Sequence, residues 1–488
     1  MNDMSDISKL EPRNVWEHFH AVTQVPRPSK KEERIIAFLE DFARKHKLAY
    51  AKDDAGNIVI RRPASETMAS RPTVVLQSHM DMVCEKNADV SFDFDKDPIQ
   101  TYIDNGWVRA RGTTLGADDG IGMAAALAVL SDGSLELPAV EALFTVDEET
   151  GLTGAFNLGK DMITGKYLIN LDSEDEGEIF IGCAGGIDTV ATFKYKAEEP
   201  AGKQAFFELR VSGLQGGHSG DDIDKNRGNS NKILAAFLAK AAEICAIRLV
   251  NFDGGNLRNA IPREASAVFA VPVDNVLQLF DLLDKYGEAM SREYAHTEPK
   301  LDISISEVPA AAYVIDAATQ EGLLGAINDV PNGILAMSRT MEGLVQTSTN
   351  LASVKFKDGM TIVVTTSQRS SVEEERLEAA ASVQSVFERA GASVEHSDGY
   401  PGWEPDPESG LLAVAVAAYE KLFSKKPHAR AIHAGLECGL FLKKYPELEM
   451  ISIGPTLRGV HSPDERLEIA SVAKFWQLLI DILQSIGQ

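Results

Sequence analysis

The chain has 488 residues, of which 48 are Lys or Arg and 73 are Asp or Glu, so its formal net charge is −25. A chain this acidic is poorly suited to neutralise a nucleic-acid backbone or to bind an anionic membrane surface, and we expect neither partner. With 44% hydrophobic and 25% charged residues, the composition is typical of a globular protein. The length predicts about two or three domains.

Three features of the sequence favour a cytoplasmic protein. Residues 1–14 are polar and of mixed charge, without the apolar run that a secretory signal requires. The longest apolar stretches, residues 121–130 and 411–419, are shorter than the roughly 20 residues needed to cross a bilayer. The cysteines show no C-x-x-C spacing and are expected to be free thiols in a reducing compartment. They are Cys84, Cys183, Cys245 and Cys438.

The N-terminal part of the chain alternates predicted helices and strands. An amphipathic pattern predicts a surface helix over residues 30–47, and a short strand, NIVIRR, follows it. A helix of small residues, IGMAAALAVL, separates the first two of three apolar runs. These runs, at residues 73–77, 139–146 and 166–171, predict strands of an α/β sheet.

The C-terminal part repeats this organisation, whereas the middle of the chain differs. A helix at 410–422, a strand at 450–455 and a helix at 471–486 extend the same layer. Between them, alternating strands with two or three long helices indicate a separate α+β unit, bounded by segments rich in turn-forming residues. We therefore predict a discontinuous domain over 1–185 and 400–488, with a second domain, 186–399, inserted into it.

Acidic residues and a histidine stand where the apolar runs end. His79 and Asp81 follow the first run, Asp147, Glu148 and Glu149 follow the second, and Asp172 follows the third. The pair Asp118 and Asp119 precedes the helix of small residues. Ligands of open α/β sheets bind at the carboxyl ends of the strands, so these groups are expected to converge on one crevice.

So many carboxylates in one crevice would repel one another unless cations are bound. One imidazole among carboxylates suits Zn²⁺, Mn²⁺ or Co²⁺, and a pair of ions needs a bridging carboxylate, for which Asp118 and Asp119 are both candidates. Of the glutamate pair, one side chain can bind metal while the other takes a proton from water. His461 follows another predicted strand and is the candidate second histidine.

Eight motifs, in this order, resemble those of the di-zinc aminoacyl-histidine dipeptidases, which are bacterial carnosinase-like, cytosolic non-specific dipeptidases. The resemblance covers nearly the whole chain. The family belongs to the superfamily of the aminoacylases and glutamate carboxypeptidases. The motifs are HMDMV, TTLGADDGIGMAAALA, TVDEETGLTGAF, LINLDSEDEGEIFIGCAGG, GLQGGHSG, NLRNAIPREA, HAGLECGLF and GPTLRGVHSPDE.

The resemblance implies a mixed-sheet di-zinc exopeptidase domain with an inserted α+β lid and dimerisation domain. It implies that Glu148 is the general base, that Asp81 orients His79, and that Asp118 bridges the two metals through a cis peptide to Asp119. A zinc-bridged hydroxide would then attack the peptide bond. The implied ligands of the two Zn²⁺ ions per subunit, which Mn²⁺ or Co²⁺ could replace, are His79, Asp118, Glu149, Asp172 and His461.

The predicted substrate contacts retain alternatives. His218 lies in a glycine-rich loop and is either a turn histidine or, as the resemblance implies, an oxyanion donor that reaches the partner subunit's site. Asn259 and Arg369 resemble the residues that hold the substrate carboxylate, with Arg258 as a competing choice. Glu437 is either the partner of a dipeptide's free amine or a carboxylate that caps a helix.

These observations predict a homodimeric metallopeptidase that cleaves unblocked dipeptides, including the β-alanyl-histidine type. An N-deacylase with the same metal chemistry is the first alternative, and a non-catalytic peptide-binding protein on the same fold is the second. Cys438 lacks the His and Asn partners of a cysteine nucleophile. The remaining histidines are assigned no role: His18, His20, His46, His296, His396, His428 and His433.

Overall fold

The computed structural model of this protein describes residues 7–487. Residues 1–6 of the polar N-terminal segment lie outside the described residues. No disulfide bond links any of the four cysteines. Across residues 7–487, every helix falls short of the length and apolar character that a membrane span requires.

The described residues form twelve α-helices. They are α1 Arg13–Thr23, α2 Glu33–His46, α3 Ala117–Ser131, α4 Glu148–Gly151, α5 Thr153–Asn157, α6 Ser230–Cys245, α7 Val276–Glu293, α8 Ala317–Asp329, α9 Glu373–Arg389, α10 Gly410–Phe423, α11 Cys438–Lys444 and α12 Ile469–Ser485.

The strands of the described residues are short in the N- and C-terminal parts and longer in the middle. They are β1 Ala49–Lys52, β2 Ile58–Arg62, β3 Val74–His79, β4 Thr101–Asp104, β5 Trp107–Ala110, β6 Val140–Thr145, β7 Tyr167–Asn170, β8 Glu178–Cys183, β9 Gly185–Lys194, β10 Ala197–Glu198, β11 Gln204–Ser212, β12 Gly217–His218, β13 Arg248–Gly254, β14 Ala260–Ile261, β15 Ala265–Pro272, β16 Asp302–Glu307, β17 Val314–Ile315, β18 Gly333–Met337, β19 Val345–Lys357, β20 Thr361–Ser370, β21 Ser393–His396, β22 His428–Ile432, β23 Glu449–Ser452, β24 Leu457–Arg458 and β25 Arg466–Glu468.

The chain divides into two compact units. The first contains the described residues up to Gly182, Pro405–Ala431 and the residues from Leu436 onward. The second contains Cys183–Glu404 and the short segment Ile432–Gly435. The predicted inserted domain, residues 186–399, falls within the second unit, whose limits lie a few residues further out.

The first unit is built on an eight-stranded sheet with the order β1-β2-β6-β3-β7-β23-β8-β22. Its four central strands, β6, β3, β7 and β23, are parallel to one another, and they overlap the three apolar runs and the strand predicted at 450–455. Parallel strands of this kind are covered on both faces, which explains why β3 and β6 are buried at every position. The register pairs His79 with Thr145 and Gln77 with Asn170, so these strands end side by side.

The second unit is an antiparallel sheet covered by helices. The strand order is β16-β11-β15-β13-β19-β20-β9-β21, with β18 paired to β19 as a ninth strand. Its helices α6, α7, α8 and α9 are four rather than the two or three expected from the sequence. Gly322 and Gly325 interrupt the apolar pattern of α8, and glycine has a low helix propensity, so the sequence indicates this helix only weakly.

Candidate active site

The carboxyl ends of the parallel strands bring the predicted acidic groups of the first unit together. His79 is the last residue of β3, Glu148 and Glu149 begin α4 just after β6, and Asp172 lies two residues beyond β7. Asp118 stands at the start of α3, where its backbone is not helical and its peptide bond to Asp119 is cis. The convergence predicted from the strand ends is therefore observed.

Asp118 lies between the two histidines of this cluster. Its Oδ1 atom is 3.0 Å from Nε2 of His79, and its Oδ2 atom is 3.1 Å from Nε2 of His461. Asp172 Oδ1 lies 3.5 Å from His79 Nε2, and Glu149 Oε2 lies 3.1 Å from His461 Nε2. The candidate metal ligands thus form two groups that share Asp118: His79 and Asp172 on one side, and Glu149 and His461 on the other. A carboxylate that bridges two ions requires this arrangement.

Asp119 and Asp147 face away from these two groups. Asp119 Oδ1 accepts a hydrogen bond from the backbone N–H of Gly122 at 3.0 Å, inside the first turn of α3. The Asp147 carboxylate accepts hydrogen bonds from the hydroxyls of Thr150 and Thr153. Of the two adjacent aspartates that the sequence left open, the geometry favours Asp118 as the bridge.

Asp81 is fully buried beneath the His79 ring. Its Oδ1 atom lies 3.3 Å from Nδ1 of His79 and accepts a hydrogen bond from the backbone N–H of Glu148 at 3.0 Å. Its Oδ2 atom accepts one from the Ser29 hydroxyl at 2.7 Å. Burial opposes ionisation, but the contacts with His79 and Ser29 hold the pKa of Asp81 below its usual value. Asp81 is therefore an anion that links the imidazole to the backbone of the glutamate pair.

Burial raises the pKa of several other carboxyl groups in the cluster. It raises the pKa of Asp172 to about 7 and that of Glu174 to about 7, and nearby Asp118 adds to both shifts. The pKa of Glu148 lies well above its usual value because of burial and repulsion from Asp172 and Glu437. The Glu149 Oε1 atom is buried without a partner among the described residues. Buried carboxylate oxygens and imidazole nitrogens are suitable ligands for divalent cations, whose positive charge would offset the repulsion between the carboxylates.

Glu437 is a buried acidic group beside the cluster, with 2% of its surface exposed. Its Oε2 atom accepts hydrogen bonds from Gln77 Nε2 at 2.7 Å and from the Thr145 hydroxyl at 2.8 Å, whereas Oε1 has no partner among the described residues. Although it stands at the N-terminus of α11, its side chain makes no capping hydrogen bond. Burial raises its pKa to about 8. The capping alternative is therefore not supported.

Of the predicted substrate residues of the second unit, His218 and Asn259 lie close together, and Arg369 lies on a different strand. His218 in β12 pairs with Ala260 in β14, next to Asn259. Arg369 in β20 is 7% exposed; its Nη1 atom donates to the Tyr400 hydroxyl at 3.1 Å, and its Nε atom has no partner among the described residues. Arg258, by contrast, is an exposed residue paired with Asp188 at 2.9 Å. Of the two arginines, Arg369 has the free hydrogen-bonding capacity.

Sequence reasoning assigned no role to three residues that the structure places around these groups. In the second unit, His433 Nε2 lies 2.7 Å from the Ser348 hydroxyl, and burial lowers the pKa of His433 to about 3. In the first unit, Glu465 and Arg27 are buried and bind the backbone that leads to Asp118. The motif HSPDE contains Glu465, but nothing local in the sequence indicates its distant partner.

A parallel sheet whose strand ends gather histidines and carboxylates around a shared aspartate defines a metallohydrolase of the peptidase type. The sequence profile of "Peptidase family M20/M25/M40" matches residues 75–485. A cytosol non-specific dipeptidase of Escherichia coli K12 is 44% identical over 484 residues, which are 99% of each chain. This chain belongs to peptidase family M20/M25/M40.

Solved structures agree with this assignment. An aminoacylhistidine dipeptidase from Vibrio alginolyticus is 42% identical and superposes with a TM-score of 0.93, with 99% of each chain covered. The aminopeptidase PepT from Bacillus cereus, at 18% identity, has a TM-score of 0.58 over 98% of this chain and 100% of its own, and shares the fold alone. The predicted fold class and family are confirmed.

Proposed function

We propose that this protein is a cytoplasmic, metal-dependent dipeptidase that hydrolyses unblocked dipeptides, Xaa-His dipeptides among them. The observation that carries the proposal is the position of Asp118, with one carboxylate oxygen toward each of two histidine–carboxylate groups. The names of the Escherichia coli and Vibrio alginolyticus relatives support the substrate class. The absence of disulfide bonds among the four cysteines and the first relative's name support the compartment.

Two Zn²⁺ ions per subunit are the proposed cofactor, with Mn²⁺ or Co²⁺ as substitutes. His79, Asp118 and Asp172 would hold one ion, and Asp118, Glu149 and His461 the other. Imidazole nitrogens and carboxylate oxygens suit all three metals, and availability decides which is bound. When bound, such cations polarise the peptide carbonyl and lower the pKa of water.

Glu148 is the proposed general base. Its backbone N–H donates a hydrogen bond to Asp81, and its side chain lies beside the candidate ligands His79 and Glu149. Because burial raises the pKa of Glu148, the carboxylate can accept a proton from the attacking water and later give it to the leaving amine. Asp81 holds the His79 ring with Nε2 toward the cation, since its own contact is with Nδ1.

The two ends of a dipeptide carry opposite charges, and each end needs a group that can pair with it. Glu437, with an unpartnered Oε1 atom, is proposed to bind the free amine. Arg369 is proposed to bind the carboxylate, with Asn259 beside it. His218 Nδ1 faces the backbone N–H groups of Gly220 and Asp221, so the neutral ring carries its proton on Nε2 and can donate it to an oxyanion.

The test is the hydrolysis of β-alanyl-histidine and glycyl-histidine beside their N-acetylated forms and N-acetyl-histidine. Zinc-loaded protein should release histidine from the free dipeptides only. Glu148→Gln should abolish turnover, whereas Glu378→Gln, an exposed carboxylate on α9, should leave it unchanged. Turnover of the acetylated compounds alone would indicate an N-deacylase, and no turnover with any of the three metals would indicate a peptide-binding protein.

The second unit is the proposed lid and dimerisation domain. Strand β16 is at the edge of its sheet, and the neighbouring helix α7 exposes Leu277 by 84% and Phe280 by 37%. An edge strand, which pairs with β11 on one side only, is suited together with exposed apolar side chains to pair with a second copy. Sedimentation should give twice the chain mass of 52.9 kDa, and Leu277→Glu should shift it toward one chain. A single-chain mass for the unmodified protein would contradict the homodimer.

A further inference from the structure

Glu465 binds the backbone that leads to the shared aspartate. The carboxylate is 2% exposed, and it accepts hydrogen bonds from four consecutive backbone N–H groups. Oε2 accepts from Leu115 at 2.7 Å and Gly116 at 3.0 Å, and Oε1 accepts from Ala117 at 2.8 Å and Asp118 at 3.3 Å. One side chain therefore determines the path of the loop that ends at Asp118.

Glu465 also belongs to the segment that carries His461. It follows His461 by four positions, and its backbone N–H donates to the Ser462 carbonyl at 3.0 Å. His461 has a φ of 59°, a left-handed conformation that a residue with a Cβ adopts only when its surroundings impose it. The His461 side chain is 53% exposed, so packing alone does not hold it. Its place depends on the turn that ends at the buried Glu465.

Arg27 binds the same loop from its carbonyl side. Its buried guanidinium donates to the carbonyl oxygens of Gly116 and Asp81, and to that of Met80 at 3.1 Å. The buried Glu465 carboxylate thus binds the N–H groups of the loop before Asp118, and the buried Arg27 guanidinium binds one of its carbonyl groups. Arg27 ties this loop to the end of β3, whereas Glu465 ties it to the His461 segment.

We infer that Glu465 is a positioning residue that holds Asp118 and His461 at the separation needed to bind one cation between them. Glu465 touches neither the proposed ligand atoms nor a substrate, so it acts only through the two segments it joins. The cation held by Asp118, Glu149 and His461 depends on both segments, whereas the cation on the His79 side depends on one. The inference rests on the proposed two-cation function.

The test is titration of metal-free protein with Zn²⁺ against a competing chromophoric chelator. The unmodified protein should bind two ions. Glu465→Gln replaces one acceptor oxygen by an NH₂ group that faces backbone donors. The affinity for one of the two ions should therefore fall by roughly 10- to 100-fold. Glu447→Gln, an exposed carboxylate in the same unit, should change neither.

Two further variants identify the ion. His461→Ala removes a proposed ligand of the ion held by Asp118, Glu149 and His461. Glu465→Gln should therefore weaken the binding of the same ion. The double variant should lose little more Zn²⁺ affinity than His461→Ala alone. Saturating Zn²⁺ should restore most of the kcat of Glu465→Gln, since the residue does not contact substrate. If Glu465→Gln fails to fold, Glu465→Asp, which keeps the charge but has a shorter reach, is titrated instead.

The inference is overturned if both ions keep their affinities in the folded variant, or if both weaken equally. It is also overturned if saturating Zn²⁺ leaves kcat low, because Glu465 would then act on the reaction itself. An unmodified protein that does not bind two ions would instead contradict the proposed function, so the two failures are distinguishable.

Discussion

Oδ1 of Asp81 lies 3.3 Å from Nδ1 of His79, on the side of the ring opposite Asp118. A carboxylate at this position keeps the ring proton on Nδ1 and leaves Nε2 free to bind a cation. The same carboxylate accepts a hydrogen bond from the backbone N–H of Glu148. Asp81 therefore orients both the proposed ligand His79 and the proposed base Glu148.

Asp81→Asn should therefore weaken Zn²⁺ binding by roughly 10- to 100-fold and lower kcat even at saturating metal. The amide cannot carry the negative charge that stabilises the Nδ1 proton. With its oxygen toward His79 and Glu148, its NH₂ group faces the Glu149 N–H, which now donates to Oδ2 at 3.3 Å. Metal titration and steady-state kinetics measure the two effects. Asp89→Asn, on an exposed loop, is the control. Normal metal affinity in Asp81→Asn would exclude the proposed orienting role.

Glu437→Gln should raise KM for free dipeptides, because an amide does not pair with the charged amine as a carboxylate does. Loss of a charge-assisted hydrogen bond of this kind costs about 1.5–3 kcal/mol, which is a reduction of kcat/KM of roughly 10- to 150-fold. The measurement is kcat/KM on glycyl-histidine. Circular dichroism must show that the fold is kept, since Gln77 and Thr145 also contact this side chain. An unchanged KM would remove Glu437 from the amine site.

Arg369→Met and Arg258→Met form a matched pair. Arg369 is buried with an unpartnered Nε atom, whereas Arg258 is exposed and paired with Asp188. The Arg369 variant should lose at least about tenfold in kcat/KM for a dipeptide and much less for the same dipeptide with an amidated C-terminus. The Arg258 variant should stay within about twofold, as expected for an exposed ion pair. The reverse pattern would assign the carboxylate to Arg258.

His18 should make the metal-free protein sensitive to mild acid. Burial, followed by the charge of His46, lowers the pKa of His18 from 6.5 to about 4. Between these values the unfolded chain binds the proton and the folded chain does not, so stability falls as the pH drops below 6.5. From about pH 7 to about pH 5 the loss is about 2 kcal/mol from this group.

Urea unfolding of the metal-free protein at several pH values measures this effect. His18→Gln can keep a hydrogen bond to Ser131, which lies 3.0 Å from His18 Nε2, and it removes the titrating group. The difference in unfolding free energy between the variant and the unmodified protein should grow as the pH falls. A difference that is independent of pH would contradict the prediction.

The sequence predicted the α/β sheet of the first unit and the acidic groups at the ends of its strands. These are local properties, since buried parallel strands are continuous apolar runs and the residue after each run stands at the sheet edge. The sequence predicted two or three long helices in the second unit, where the structure has four, and Gly322 and Gly325 weaken the helical pattern of α8.

The folded structure adds a geometric reason for choosing between residues of the same type. Asp118 and Asp119 are chemically identical neighbours, but only Asp118 places an oxygen toward each histidine. Arg258 and Arg369 are likewise equivalent until burial and ion pairing separate them. Glu465 lies more than 340 residues from the backbone N–H groups that donate to it. No local sequence pattern can therefore predict this contact. Such contacts depend on which segments meet, and that is set by the packing of the whole unit.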